Sequence, residues 1–219
     1  MSLSLSHGRQ LDVGDVGVSS QDMPPWQDGP IDLKAWFGPE SRDMPLELEI
    51  GCGKGTFLVQ QAAQTPQFNY IGLEFARAYW SHTADRCRRN GLTNVKVAHA
   101  EAGFFVRNYV PDACLAAVHI YFPDPWPKKR HHKRRLIQAA FLRDLHRVLE
   151  AAGLVRIVTD HEDYHEWILA AAREVQELFD PLPWQNPPSA PDGELVGTNF
   201  ERKYRRESKP FFAMLLRRR

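Results

Sequence analysis

Residues 46–55 read LELEIGCGKG, a short aliphatic run that passes directly into glycines at 51, 53 and 55. A run of this length rich in Leu and Ile and bounded by turn residues predicts a strand. Helical spacing follows it, so the stretch reads as the first strand, turn and helix of an open α/β sheet. In such sheets ligands bind beyond the carboxyl ends of the strands. Three missing Cβ atoms let the backbone turn tightly and lie close to a bound molecule. A dinucleotide fingerprint would place its third glycine at 56, where Thr56 stands, so the spacing is G-x-G-x-G, with Glu49 two residues ahead of it.

Outward from this turn the pattern repeats. NYIGLEF (69–75), NVKVAHA (94–100), CLAAVHIYF (114–122) and GLVRIVTD (153–160) are further short strand-like runs. Between them, helical spacing is expected over 55–64, 76–90, 101–109, 133–152 and 162–179. The alternation predicts an α/β fold with a mostly parallel sheet covered by helices on both faces. After Phe179 the segment DPLPWQNPPSAPDG reads as a surface loop, and FFAMLLR (211–217) as a C-terminal closing strand of open direction. Residues 1–30, rich in Gly, Ser, Asp and Pro without a period, read as a flexible leader ahead of a single domain over 31–219.

The bulk numbers suit that reading. The chain has 219 residues, 43% of them hydrophobic and 25% charged, enough for one ordinary domain core. No apolar run approaches the roughly 20 residues that span a bilayer, and the N-terminus lacks the order of a secretory signal, so a cytoplasmic protein is expected. Cys52, Cys87 and Cys114 stand far apart with no C-x-x-C pair and read as small buried residues in a reducing compartment. The net charge of +1 conceals strongly basic stretches at 128–135 and 202–219, so a polyanionic partner is compatible with it. The oligomeric state is open between monomer and homodimer.

Two other carboxylates follow from strand ends. Glu74 closes the second strand, where an acid can accept from both ribose hydroxyls of a nucleoside. Glu101 follows the third strand and reads either as an acceptor for an adenine amino group or as an exposed first-turn helix acid. His161–His165 reads HEDYH and matches the zinc pattern H-E-x-x-H letter for letter. It lacks a third ligand and starts at a helix N-terminus, so no metal is expected, and the acids there suit the helix dipole. Asp160 ends its strand on the same edge as Glu74 and Asp124, so the three are expected to converge.

Residues 122–135, FPDPWPKKRHHKRR, fix Asp124 between two prolines and then present six Lys and Arg. Prolines at 123, 125 and 127 fix φ and remove backbone donors, which makes the loop after the fourth strand stiff. The cations beyond it can neutralise phosphates of a nucleic acid. Trp126 reads either as a base-stacking side chain or as core.

PDPWPKKRHHKRR, together with LEIGCGKG, VTDHEDY and TNFERKYRR, resembles the tRNA (guanine-N7)-methyltransferases over roughly residues 35–217. The resemblance implies a Rossmann-like class I methyltransferase fold, S-adenosyl-L-methionine as cofactor, and methylation of a guanosine in the variable loop of tRNA. It implies that Glu49, Gly51, Gly53, Gly55, Glu74, Glu101 and Asp124 bind the cofactor, and that Asp124 is also catalytic. Lys128, Asp160, Thr198, Asn199, Phe200 and Glu201 would contact substrate, and Arg130, His131, His132, Lys133, Arg134 and Arg135 would lie along the RNA. Glu101 stands where the family more often has Asp. Methylation of another substrate class, and an RNA-binding module with a degenerate cofactor site, are the competing readings.

Overall fold

The computed structural model describes residues 10–219, so residues 1–9 of the expected leader lie outside the described part. A single domain over 31–219 was the expectation; the chain packs as two compact units, one ending at Val110 and the other running from Pro111 to Arg219.

The first unit contains strands β1 (Gly17–Val18), β2 (Leu46–Ile50), β3 (Asn69–Glu74) and β4 (Val95–His99), and helices α1 (Thr56–Gln64), α2 (Arg77–Arg89) and α3 (Ala102–Asn108). Its strands run parallel in the order β1-β4-β3-β2. Buried on nearly every position, β3 lies between neighbours, as its unbroken apolar run requires. A Cβ on Gly72 would stand 2.7 Å from Leu58 and 3.0 Å from the Cys52 sulfur, so α1 approaches the strand as only glycine permits. Cys52 and Cys87 are buried in this core, and burial pushes the Cys87 thiol up to about 12.

The leader expectation is corrected for residues 12–18. Val16 is buried among Trp80, Ala84, Cys87 and Val97, and its carbonyl accepts from the Val97 amide at 2.8 Å. Arg88 donates to the Asp12 carbonyl at 2.9 Å and Lys96 to the Asp15 carbonyl at 2.7 Å, which fastens the segment on either side. A two-residue strand carries no period, so composition masked it.

The second unit contains strands β5 (Leu115–Tyr121), β6 (Leu149–Thr159), β7 (Phe179–Leu182) and β8 (Phe212–Arg218), and helices α4 (Ala139–Val148), α5 (Glu162–Arg173) and α6 (Asn199–Arg206). β5 and β6 are parallel, while β8 is antiparallel to both β6 and β7, which settles the direction of the closing strand. Three boundaries differ from expectation. The helix expected over 133–152 is only α4, because Lys129–Arg134 forms a 3-10 turn and Leu149 already begins β6. α5 stops at Arg173 rather than 179, since Phe179 is needed in a strand. The start of the proline-rich loop is β7, where Pro181 is tolerated because this strand is the sheet edge and a missing N–H there costs no ladder bond.

Val16→Ala should lower stability by about 2 kcal/mol, the scale of a small core truncation. The check is a urea melt with unchanged slope and a lower midpoint; an unmoved midpoint would put residues 12–18 outside the folded core.

Candidate active site

The glycine turn after β2 is shaped from below and from the side. Gly51, Gly53 and Gly55 have φ of 75°, 53° and 66°, a region that side chains other than glycine rarely enter. The amides of Gly51 and Cys52 both donate to the Leu73 carbonyl, at 2.9 and 3.0 Å. On the other flank, Thr83 donates its hydroxyl to the Gly53 carbonyl at 2.6 Å, and Arg86 donates to the Lys54 carbonyl at 2.8 Å. Neither α2 residue was singled out from sequence, because a clamp on loop carbonyls leaves no local pattern. A Cβ on Gly55 would lie 2.5 Å from the Thr83 methyl, so this glycine sets how closely the turn rests on α2.

Three acids predicted for a cofactor sit around the first unit. Glu74 accepts from the Gly53 amide at 2.9 Å with one oxygen and from the Ala76 amide at 2.8 Å with the other. It therefore ties the glycine turn to the end of β3, and each oxygen keeps a further lone pair. Glu101 accepts from the amides of Gly103 (3.0 Å) and Phe104 (2.6 Å), so it caps α3, the role that its first-turn reading allowed. Glu49 is only 4% exposed, and one of its oxygens has no partner. Burial first, and the Glu74 charge second, push its carboxyl up to about 8. An orphaned buried carboxylate oxygen beside a glycine turn fits a ligand that brings a cation or a hydrogen-bond donor.

In the second unit the loop after β5 is strained around its acid. Phe122 has φ of 53° and Trp126 of 44°, both unusual for bulky residues, and Asp124 lies exposed between them. What holds the loop is Arg135, only 1% exposed. Its guanidinium donates to the Pro125 carbonyl at 2.9 Å, pairs with Asp163, and lies 5.0 and 5.2 Å from the ring centres of Tyr164 and Trp167. Arg135 is thus withdrawn from the residues expected along RNA: its charge is spent inside the fold. Lys128, Lys129, Arg130, Lys133 and Arg134 are exposed, and His131 and His132 are half-buried against Trp126 and Trp167.

Asp160 and the tetrad at 198–201 are the remaining predicted site residues of the second unit. Lys209 donates to the Asp160 carboxylate at 3.0 Å. Burial raises the pKa of the Tyr204 hydroxyl, and the charges of Asp160 and Asp124 both add to that effect. Thr198 caps α6 by accepting from the Glu201 amide at 3.0 Å. Glu201, fully buried, accepts from the amides of Leu195, Val196 and Gly197 and from Arg205. Burial alone would raise its pKa; those four donors outweigh it and hold the carboxyl below its ordinary value. Asn199 and Phe200 remain exposed. The tetrad therefore divides, with two members building the loop and two facing outward.

The histidines of HEDYH are otherwise engaged. His161 Nδ1 accepts from the Tyr164 amide at the start of α5, and His165 stacks on Phe212 with ring centres 4.8 Å apart. No cluster of three or more His, Cys, Asp or Glu that could hold a metal occurs among the described residues, and no helix there is long and apolar enough to cross a membrane.

Comparison with known proteins places this geometry. A solved SAM-dependent methyltransferase from Aquifex aeolicus superposes with a TM-score of 0.54 at 13% identity, covering 79% of this chain and 81% of that one. A family described as "Putative methyltransferase" matches residues 43–214. The fold is that of a Rossmann-like class I methyltransferase. The chain is 37% identical to a tRNA (guanine-N(7)-)-methyltransferase of Alkalilimnicola ehrlichii, over 87% of this chain and 78% of the relative. It is 45% identical to the enzyme of that name from Halorhodospira halophila, over 64% of this chain and 60% of the relative's length. This chain belongs to the tRNA (guanine-N(7)-)-methyltransferase family.

Two outcomes test the site. Arg134→Ala should reduce the salt slope of tRNA binding by about one, whereas Arg135→Met should leave the slope intact and lower stability by about 2 kcal/mol, the effect of leaving the Pro125 carbonyl without its donor while the exposed Asp163 returns to water. A flattened slope for Arg135→Met would return that residue to the RNA face. On the reading of Glu49 as the partner of the cofactor's ammonium, binding of S-adenosyl-L-methionine at pH 6–7 should release a proton, because a carboxyl protonated below about 8 ionises to form that pair. Calorimetry in buffers of different ionisation enthalpy reads that release, which Glu49→Gln should abolish.

Proposed function

We propose that this methyltransferase acts on N7 of a guanosine in the variable loop of tRNA. The observation that carries the reading is the strained loop after β5, where Asp124 stands between two residues at positive φ and is followed by five exposed cations. Such a loop presents one carboxylate in a fixed place beside a surface suited to phosphates.

S-adenosyl-L-methionine, when bound, supplies an electrophilic methyl group. Glu49 would hold its ammonium, Glu74 its ribose hydroxyls and Glu101 its adenine amino group, with Gly51, Gly53 and Gly55 giving the close backbone approach. Guanine N7 already carries a free lone pair, so no proton has to be removed first, and the protein's work is positioning. Asp124 and Asp160 divide two tasks. One accepts the N1–H and N2–H donors of the guanine edge, which rejects adenine because adenine presents an acceptor at N1. The other stabilises the positive charge that N7 methylation leaves on the purine. Asp124 also serves the cofactor.

Lys128 contacts substrate, and Arg130, His131, His132, Lys133 and Arg134 lie along the RNA, with Asn199 and Phe200 turned toward the substrate. Thr198 and Glu201 act on it indirectly, by fixing the start of α6. A guanosine engaged in tertiary pairing must first be exposed, and the contacts to phosphates offset that cost of a few kcal/mol.

Nucleoside mass spectrometry after incubation of tRNA with the protein and labelled cofactor should show labelled 7-methylguanosine, mapping to the variable loop. Asp124→Asn should bind cofactor within a few-fold of wild type and lose roughly two orders of magnitude in methylation, the usual scale for an electrostatic group at the reacting centre. Turnover near wild type would remove Asp124 from the catalytic role; methylguanosine elsewhere in the tRNA would remove the variable loop.

A further inference from the structure

Lys209 is part of neither the glycine turn nor the basic run at 128–135, yet it lies at the carboxylate that the proposed function gives to the purine. Its ammonium donates to Asp160 at 3.0 Å and sits 3.9 Å from the centre of the Tyr204 ring. A cation over an aromatic face and against a carboxylate is doubly stabilised, and the Asp160 carboxylate holds Lys209 above its ordinary range. The backbone is shaped for this contact. Ser208 has φ of 54° and the Lys209 amide donates back to the Tyr204 carbonyl at 3.1 Å, which turns the chain at the end of α6 so that residue 209 returns to Asp160.

The Tyr204 ring beneath the ammonium belongs to a larger aromatic group. Phe122 meets Phe200, Tyr204 and Phe211 with ring centres 6.3, 5.8 and 5.8 Å apart, and Phe200 is 50% exposed. Lys209 therefore occupies, on a tether, a place that combines a carboxylate acceptor with π-faces. A purine with two N–H donors on one edge needs the same two features.

We propose that Lys209 is a displaceable internal cation that blocks Asp160 until a guanine base takes its place. The inference rests on the reading of Asp160 as a contact to the purine. A site closed by its own side chain binds any ligand more weakly by the fraction of molecules in which it is open. The same factor applies to the neutral guanine of the substrate and to the cationic 7-methylguanine of the product, because either must break the same ion pair. The device thus limits how tightly methylated tRNA is retained.

Lys209→Met tests it, with binding of both unmethylated tRNA and tRNA carrying 7-methylguanosine measured by filter binding at fixed salt. Both affinities should rise by a common factor of about three, the scale of one exposed ion pair, and Lys209→Arg should return them toward wild type. Weaker binding with a flattened salt slope would mean that Lys209 contacts phosphate and would overturn the proposal. No change in either affinity would reduce Lys209 to a structural contact and would also overturn it. A gain confined to the methylated tRNA would do the same, since simple repulsion of a cationic base by a lysine that stays in place explains that result. Wild-type protein that forms no 7-methylguanosine would remove the functional reading and this inference together; 7-methylguanosine from wild type alongside any of the three adverse results removes the inference alone.

Discussion

A guanidinium buried to 1% exposure must have its partners supplied by the fold, and those of Arg135 fix the loop of the second unit that holds Asp124. Through the Pro125 carbonyl it pins the loop that holds Asp124. Through Asp163 and Tyr164 it is joined to the first turn of α5, and the Tyr164 hydroxyl in turn accepts from the Ile137 amide just before α4. Trp167, which flanks the same guanidinium, donates to the Ile137 carbonyl at 2.8 Å. One side chain thus joins the starts of two helices to a loop whose positive φ angles at Phe122 and Trp126 would otherwise relax. The pair of prolines stiffens that loop locally; Arg135 decides where it is held.

That arrangement explains why the basic tract was only partly legible. Six cations in eight residues read alike in sequence, since nothing local distinguishes the one that turns inward. The distinguishing partners lie some 30 residues later, in the segment HEDYH that resembles a zinc pattern, where Asp163 and Tyr164 serve the arginine and His161 caps the helix. The 3-10 turn at Lys129–Arg134 has the same origin, because a regular helix from Lys133 would conflict with the extended backbone at Arg135. Strands β2 to β6 were legible because their apolar runs are long and bounded by turn residues. β1 and β7 were not: one is two residues long, and the other contains Pro181. Both exist through pairing with strands distant in sequence, which no local pattern records.

The site acids were readable as acids at strand ends, but their division of labour was not. Glu74, Glu101 and Glu201 each accept at least two backbone amides, so each shapes a turn or helix start before any ligand arrives. A carboxylate held in this way is preorganised, since its spare lone pairs point in fixed directions. For Glu201, buried and fully used by Leu195, Val196, Gly197 and Arg205, little capacity is left for a substrate. Its place in the family motif is then explained by α6, which Thr198 caps while Glu201 fixes the loop leading into it through the amides of Leu195, Val196 and Gly197.

Glu49 is the exception, and the exception follows from charge. It lies near enough to Glu74 for that carboxylate to raise its pKa in addition to the effect of burial, so ionising both acids without a cation nearby is unfavourable. Glu74 has two amides to stabilise its charge, whereas Glu49 retains an oxygen with no partner. The asymmetry leaves Glu49 as the acid whose state a cationic ligand can change. A glycine turn alone would accept many ligands, including phosphates, because it offers backbone and space. A buried acid next to it excludes anions and favours an ammonium. The pairing of LELE with GCGKG, more than the glycines themselves, is what suits this turn to a cofactor that carries an amino acid.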